Sequence, residues 1–99
     1  MTTLLAFPRR GRPWSSLERD GLGQIQSAFA NQGLATKCEY GVTEEGDPWT
    51  AFHAEDTFVA HVARIDATYL LVLADGRSLR AATLNRLADA VRGGRAHAA

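Results

Sequence analysis

The residues of this chain best suited to chemistry stand in two short runs. Glu44, Glu45 and Asp47 crowd one turn, bent by Gly46 and Pro48 and followed at once by Trp49. Clustered carboxylate oxygens are what hard cations seek, so the run is a candidate cation site. Its plainer reading is a solvated turn: Gly46 and Pro48 shape it, Asp47 bonds local backbone, and Trp49 packs in the core. The second run holds His61, Arg64 and Asp66. With His53 and a carboxylate such as Asp47, His61 makes a weak zinc set with an open position. A third ligand at a fixed short spacing is missing, and one residue of strand register decides whether the histidines share a face. The plainer reading makes His61 a core or interface histidine and lets Arg64 and Asp66 frame a strand end. A salt bridge from Arg64 to Asp47 would then hold the loop on the sheet. The candidate functional cluster is therefore Glu45, Asp47, Trp49, His61, Arg64 and Asp66, with Asp47, His53 and His61 as candidate metal ligands.

Other catalytic patterns are missing from the chain. Gly21-Leu22-Gly23 lacks the preceding strand that a dinucleotide fingerprint needs. No serine stands on an elbow motif, and Cys38 has no base near it in sequence. Trp49, Phe52, Phe58 and Tyr69 could stack bases, but no basic residues interleave them, and core packing is the better reading. No cofactor is expected. Cys38 is the only cysteine, so neither an intramolecular disulfide nor a cysteine zinc site can form, which fits a reducing cytoplasm.

These side chains need a scaffold, and 99 residues suffice for one domain. The hydrophobic fraction of 45% is that of a globular protein. Eleven basic residues balance eleven acidic ones, which argues against specific nucleic-acid binding. Arg9, Arg10 and Arg12 cluster early, Arg77, Arg80, Arg86, Arg92 and Arg95 late, and the middle is acidic. The run Met1–Phe7 is too short for a signal-peptide core, and no apolar run is long enough to span a membrane. Pro8, Gly11 and Pro13 mark residues 1–13 as a flexible basic tail, followed by one domain over 14–93 and a frayed end at 94–99.

The fold class expected is α+β: a helix, a four-stranded antiparallel meander and a C-terminal helix. Ser15 and Glu18 have capping-box spacing, and Leu22, Ile25 and Phe29 recur on one helical face. Asn31 to Gly33 stops this helix. The period then shortens to two, with Thr36, Cys38, Tyr40 and Val42 alternating with Lys37, Glu39 and Gly41. Strands follow at Trp49–Ala54, Phe58–Ile65 and Tyr69–Leu73, joined by short links that favour antiparallel neighbours. Ser78 is read as the cap of a last helix carrying Leu84, Leu87 and Val91. Strands three and four are apolar on both faces. Phe58, Val62, Leu71 and Leu73 are assigned to one side, and Val59, Ile65, Leu70 and Val72 to the other. Two short helices cover about one such face, so the other is left for a partner. Trp49 is expected to be the well-buried tryptophan, and Trp14, at the tail boundary, the lesser one.

Glu45-Gly46-Asp47-Pro48-Trp49, then His61-Val62-Ala63-Arg64-Ile65-Asp66 and Tyr69, resembles the core of an uncharacterised bacterial family with an EGDPW…HxARIDxxY pattern. The likeness covers roughly residues 33–73. It implies no known activity; some relatives continue into longer, partly membrane-embedded chains, of which this one is read as a free-standing member or an excised domain. A more distant likeness is to the restriction-endonuclease core, where a strand hairpin carries an Asp and then a Glu/Gln-x-Lys. Asp47 would stand for the first acid. His61-Val62-Ala63-Arg64 replaces the second acid and the lysine, so the likeness implies a degenerate nuclease-like, metal- or nucleic-acid-associated domain. The residues themselves favour a non-enzymatic interaction or oligomerisation module, acting as a homodimer or on a protein partner.

Overall fold

The structure, a computed structural model, describes residues 12–93. The expected tail and frayed end thus lie almost wholly outside the described residues. Helix α1 spans Ser16–Asn31 and starts at the cap the sequence marks. The Ser15 hydroxyl accepts from Glu18 N–H, and the Glu18 carboxylate accepts from Ser15 N–H. Leu22, Ile25, Ala28 and Phe29 form its buried stripe. Gly21 is buried with them, facing a second helix, α2, at Leu84–Arg92. A Cβ on Gly21 would stand 2.7 Å from Leu84 Cβ. The missing side chain lets the two helices approach, which offsets glycine's poor helix propensity.

Between the helices run β1 (Lys37–Val42), β2 (Pro48–Ala54), β3 (Thr57–Ile65), β4 (Thr68–Leu73) and β5 (Ser78–Ala81), paired in that order and antiparallel throughout. The meander thus has five strands, one more than the four expected. Ser78 opens β5 and does not cap the last helix; Thr83 does, its hydroxyl accepting from Arg86 N–H at 3.2 Å. Four residues with alternate apolar positions fit a strand or a first helical turn equally. The edge of β4 decides, because its backbone groups gain partners when Leu79 pairs with Leu71 and Ala81 with Tyr69 across the Asp75-Gly76 turn.

Both helices lie on one face of the sheet. Phe52, Ala60, Val62, Leu71 and Leu73 join Leu22, Ile25, Phe29, Leu84, Leu87 and Val91 in a single core. Alternation sends Trp49, Ala51 and His53 of β2, His61, Ala63 and Ile65 of β3, and Leu70 and Val72 of β4 to the outer face. A bulge between Phe52 and His53 pairs Phe52 with Ala60 but His53 with Phe58. The extra residue shifts the phase of β3. Phe58 therefore lies on the outer face, in ring contact with His53 and His61, and Val59 packs on the core, the reverse of the sequence assignment.

The two tryptophans also exchange ranks. Trp14 is 7% exposed within the core, while Trp49 is half-buried on the outer face. The Trp49 indole lies over Gly41, its partner in the ladder; a Cβ there would stand 2.1 Å from Trp49 Cζ2. Gly41→Val should push this ring into water. The expected loss is about 1–3 kcal/mol with a red-shifted tryptophan emission. Unchanged emission and urea midpoint would contradict the placement.

Candidate functional site

The sequence-marked residues divide among three places. Trp49 and His61 lie on the outer face, on β2 and β3. Glu45 and Asp47 sit in the β1–β2 turn, where Asp47 N–H donates to Thr43 Oγ1 at 3.1 Å and Asp47 C=O accepts from Thr43 N–H at 2.8 Å. Asp66 takes φ 56° in the β3–β4 turn at the same end of the sheet. Arg64 points the other way, into the helix-covered face, and is only 5% exposed. Asp47, His61 and Arg64 thus converge in no common cleft.

The metal candidates separate as well. His53 and His61 do share the outer face, but Phe58 stands between them, with ring centroids 5.8 Å from His53 and 6.4 Å from His61. Asp47 is at the opposite end of β2 from His53, about 20 Å along an extended strand. His53 Nε2 instead meets Glu39 Oε1 at 3.2 Å. Among the described residues no group of three His, Cys, Asp or Glu is placed to hold a metal ion.

Arg64 anchors a cluster whose partners the sequence reading missed. Its bidentate carboxylate is Glu18 of α1, at 2.8 and 2.9 Å, in place of the loop acid suggested by the sequence. Tyr69, paired with Arg64 across the β3–β4 ladder, donates its hydroxyl to Glu18 Oε2 at 2.6 Å. The guanidinium lies 5.6 Å from the Trp14 ring centroid, and Trp14 stacks on Tyr69 at 6.3 Å. Trp14 Nε1–H donates to the buried Thr50 Oγ1 at 2.9 Å, and Arg64 Nη2 donates to Arg12 C=O. Burial alone would raise the Glu18 carboxyl. The Tyr69 hydroxyl, the Ser15 N–H and the Arg64 fork and charge outweigh it and hold the carboxyl below the ordinary glutamate value. An ionised carboxylate clamped by three donors is a poor proton acceptor. The cluster is a clasp: it ties the Arg12–Trp14 strap and α1 to the sheet. The legible signals were a Glu inside a capping box and, separately, an Arg on an apolar strand.

Beside the clasp lies an open cleft of about 610 Å³ between α1 and the start of α2. Glu18 and Tyr69 line it on one side, and Arg92 bridges Asp89 and Gln24, each at 2.7 Å, on the other. Burial pushes the Cys38 thiol up, only partly countered by its hydrogen bond with Tyr40, which favours the neutral thiol over the thiolate.

The remaining prominent feature is the outer face itself. Trp49, Phe58, Ile65, Leu70 and Val72 stand around the small Ala51 and Ala63, with no described helix over them. No helix of the described residues is long and apolar enough to cross a membrane. No protein-family model, curated protein or solved structure matches the chain.

Proposed function

We propose that the chain is a non-enzymatic oligomerisation module, cytoplasmic in keeping with its single cysteine, whose copies associate as a two-fold dimer through the outer face of the sheet. One observation carries the reading: both described helices pack on the same face, so a five-stranded sheet presents an apolar surface to solvent. Phe58, at the β2–β3 hairpin end of this face, is 38% exposed although it is in ring contact with both His53 and His61. A patch that complements itself closes most simply by two-fold symmetry.

Size sets the expected strength. Five strands about 4.8 Å apart and about 20 Å long present roughly 500 Å² per copy. Two copies bury about 1,000 Å², at the lower limit for a specific interface, so a dissociation constant of tens of micromolar is expected. Light scattering between about 5 and 500 µM should show the mass rising from 10.7 kDa towards twice that value. A constant 10.7 kDa over that range would overturn the reading.

A further inference from the structure

The described chain begins at one end of the sheet. The Arg12 carbonyl accepts from Arg64 Nη2, and Arg64 stands one residue before the close of β3 at Ile65. The β1–β2 turn, with Glu44, Glu45 and Asp47, and the β3–β4 turn, with Asp66, lie at this same end. Glu44, Glu45 and Asp66 are exposed and have no ion-pair partner among the described residues. The sequence before Arg12 is apolar first and basic second: Leu4, Leu5, Ala6 and Phe7, then Pro8, Arg9, Arg10 and Gly11. Extended, Pro8 to Gly11 covers about 13 Å, enough to round the end of a sheet layer about 10 Å thick. That path carries Arg9 and Arg10 past the acidic turns, where opposite charges attract. Leu4 to Phe7 then reaches about 13 Å further, along the outer face from Ile65 towards Leu70. Ala63 stands between Trp49 and Leu70 in the ladder, and its small side chain leaves a hollow there. The opposite face is already filled by α1, α2 and the strap.

Resting on the association reading above, we propose that Leu4–Phe7 folds over the outer face of its own protomer and competes there with the second copy. Arg9 and Arg10 tether it against the acidic turns. Covering the face removes the same apolar surface from water that association removes, over a smaller area. A tether this short gives the segment an effective concentration of order millimolar at its own face, above the tens of micromolar at which copies meet. The segment thus sets the threshold for association. If it covers the face half of the time, each copy is competent for the other half, and the apparent dissociation constant rises about fourfold. In dilute protein the apolar sheet is shielded from other contacts.

A full-length chain carrying Leu4→Ser, Leu5→Ser and Phe7→Ser tests this. Trp14 is buried, so acrylamide quenching of the tryptophan emission reads Trp49. At about 1 µM, where the protomer prevails, quenching should be about twofold greater in the variant than in the wild type. By sedimentation velocity its dimer should be at least about threefold tighter. Arg9→Glu with Arg10→Glu keeps the apolar residues and should also expose Trp49; unchanged quenching there contradicts the path past the acidic turns. Unchanged quenching with an unchanged dissociation constant in the serine variant overturns the segment's place and leaves the association reading standing. A serine variant that dimerises more weakly than the wild type puts the segment inside the interface and overturns the competition. A serine variant that exposes Trp49 yet stays monomeric at every concentration supports the cover and overturns the association reading instead.

Discussion

Replacing Arg64 with methionine should remove about 3–5 kcal/mol of stability, a large share of what a domain of this size holds. The substitution keeps most of the apolar stem and takes away the guanidinium. Glu18, only 12% exposed, would then keep its charge with Tyr69 and Ser15 as its remaining clamp. Isolating a charge at such depth costs more than the pair contributes when both members are present. Adding Glu18→Leu to Arg64→Met should therefore recover part of the loss, by about 1–3 kcal/mol relative to additivity. The same clamp sets an acid limit. Because the folded Glu18 carboxyl is depressed, its contribution is complete above the unfolded glutamate value and disappears as pH falls through the folded one. Urea midpoints of the single and double variants measure all of this. A single-variant loss under about 1 kcal/mol would show that the clasp does not hold the fold.

Trp14→Ala should cost a similar amount, about 3–5 kcal/mol. The indole fills a core site between Arg64 and Tyr69, and its N–H is the donor to Thr50 Oγ1, which is shut off from solvent. Removing it leaves a cavity, an unsatisfied buried hydroxyl and a strap held mainly by the bond from Arg64 to Arg12 C=O. Trp14→Phe keeps the ring and loses the N–H, so its cost should fall to about 1–2 kcal/mol. Chemical denaturation of the set checks the order. If Trp49→Ala proves more damaging than Trp14→Ala, the placement of both indoles is wrong.

Local patterns in the sequence were legible where one interaction determines them. The capping box at Ser15 and Glu18, the stripe through Leu22, Ile25 and Phe29, and the first four strands are of this kind. β5 was not, because Ser78–Ala81 alternates over too few residues to separate a strand from a helical turn, and only the β4 edge distinguishes them. Phe58 and Val59 were assigned to the wrong faces because a bulge shifts strand phase and leaves no mark in the residues. The site was harder still. Arg64 stood out as a charge in an apolar strand, but its partner lies 46 positions away on a helix, a distance at which spacing carries no information. Trp14 was misread for the same reason: its hydrogen bond to Thr50 spans 36 positions. The sharing of one face by His53 and His61, left open by the sequence, follows from the register of β2 on β3.

The measurement closest to the central claim is sedimentation equilibrium of the wild type beside Leu70→Glu. Leu70 is on the outer face, opposite Ala63 and Arg80, away from the core and the clasp. Its replacement should leave the urea midpoint within about 0.5 kcal/mol and place a charge in the middle of the proposed interface. The account predicts a wild type that dimerises at tens of micromolar and a Leu70→Glu variant that stays monomeric and folded. Identical masses for the two proteins at every concentration would contradict it.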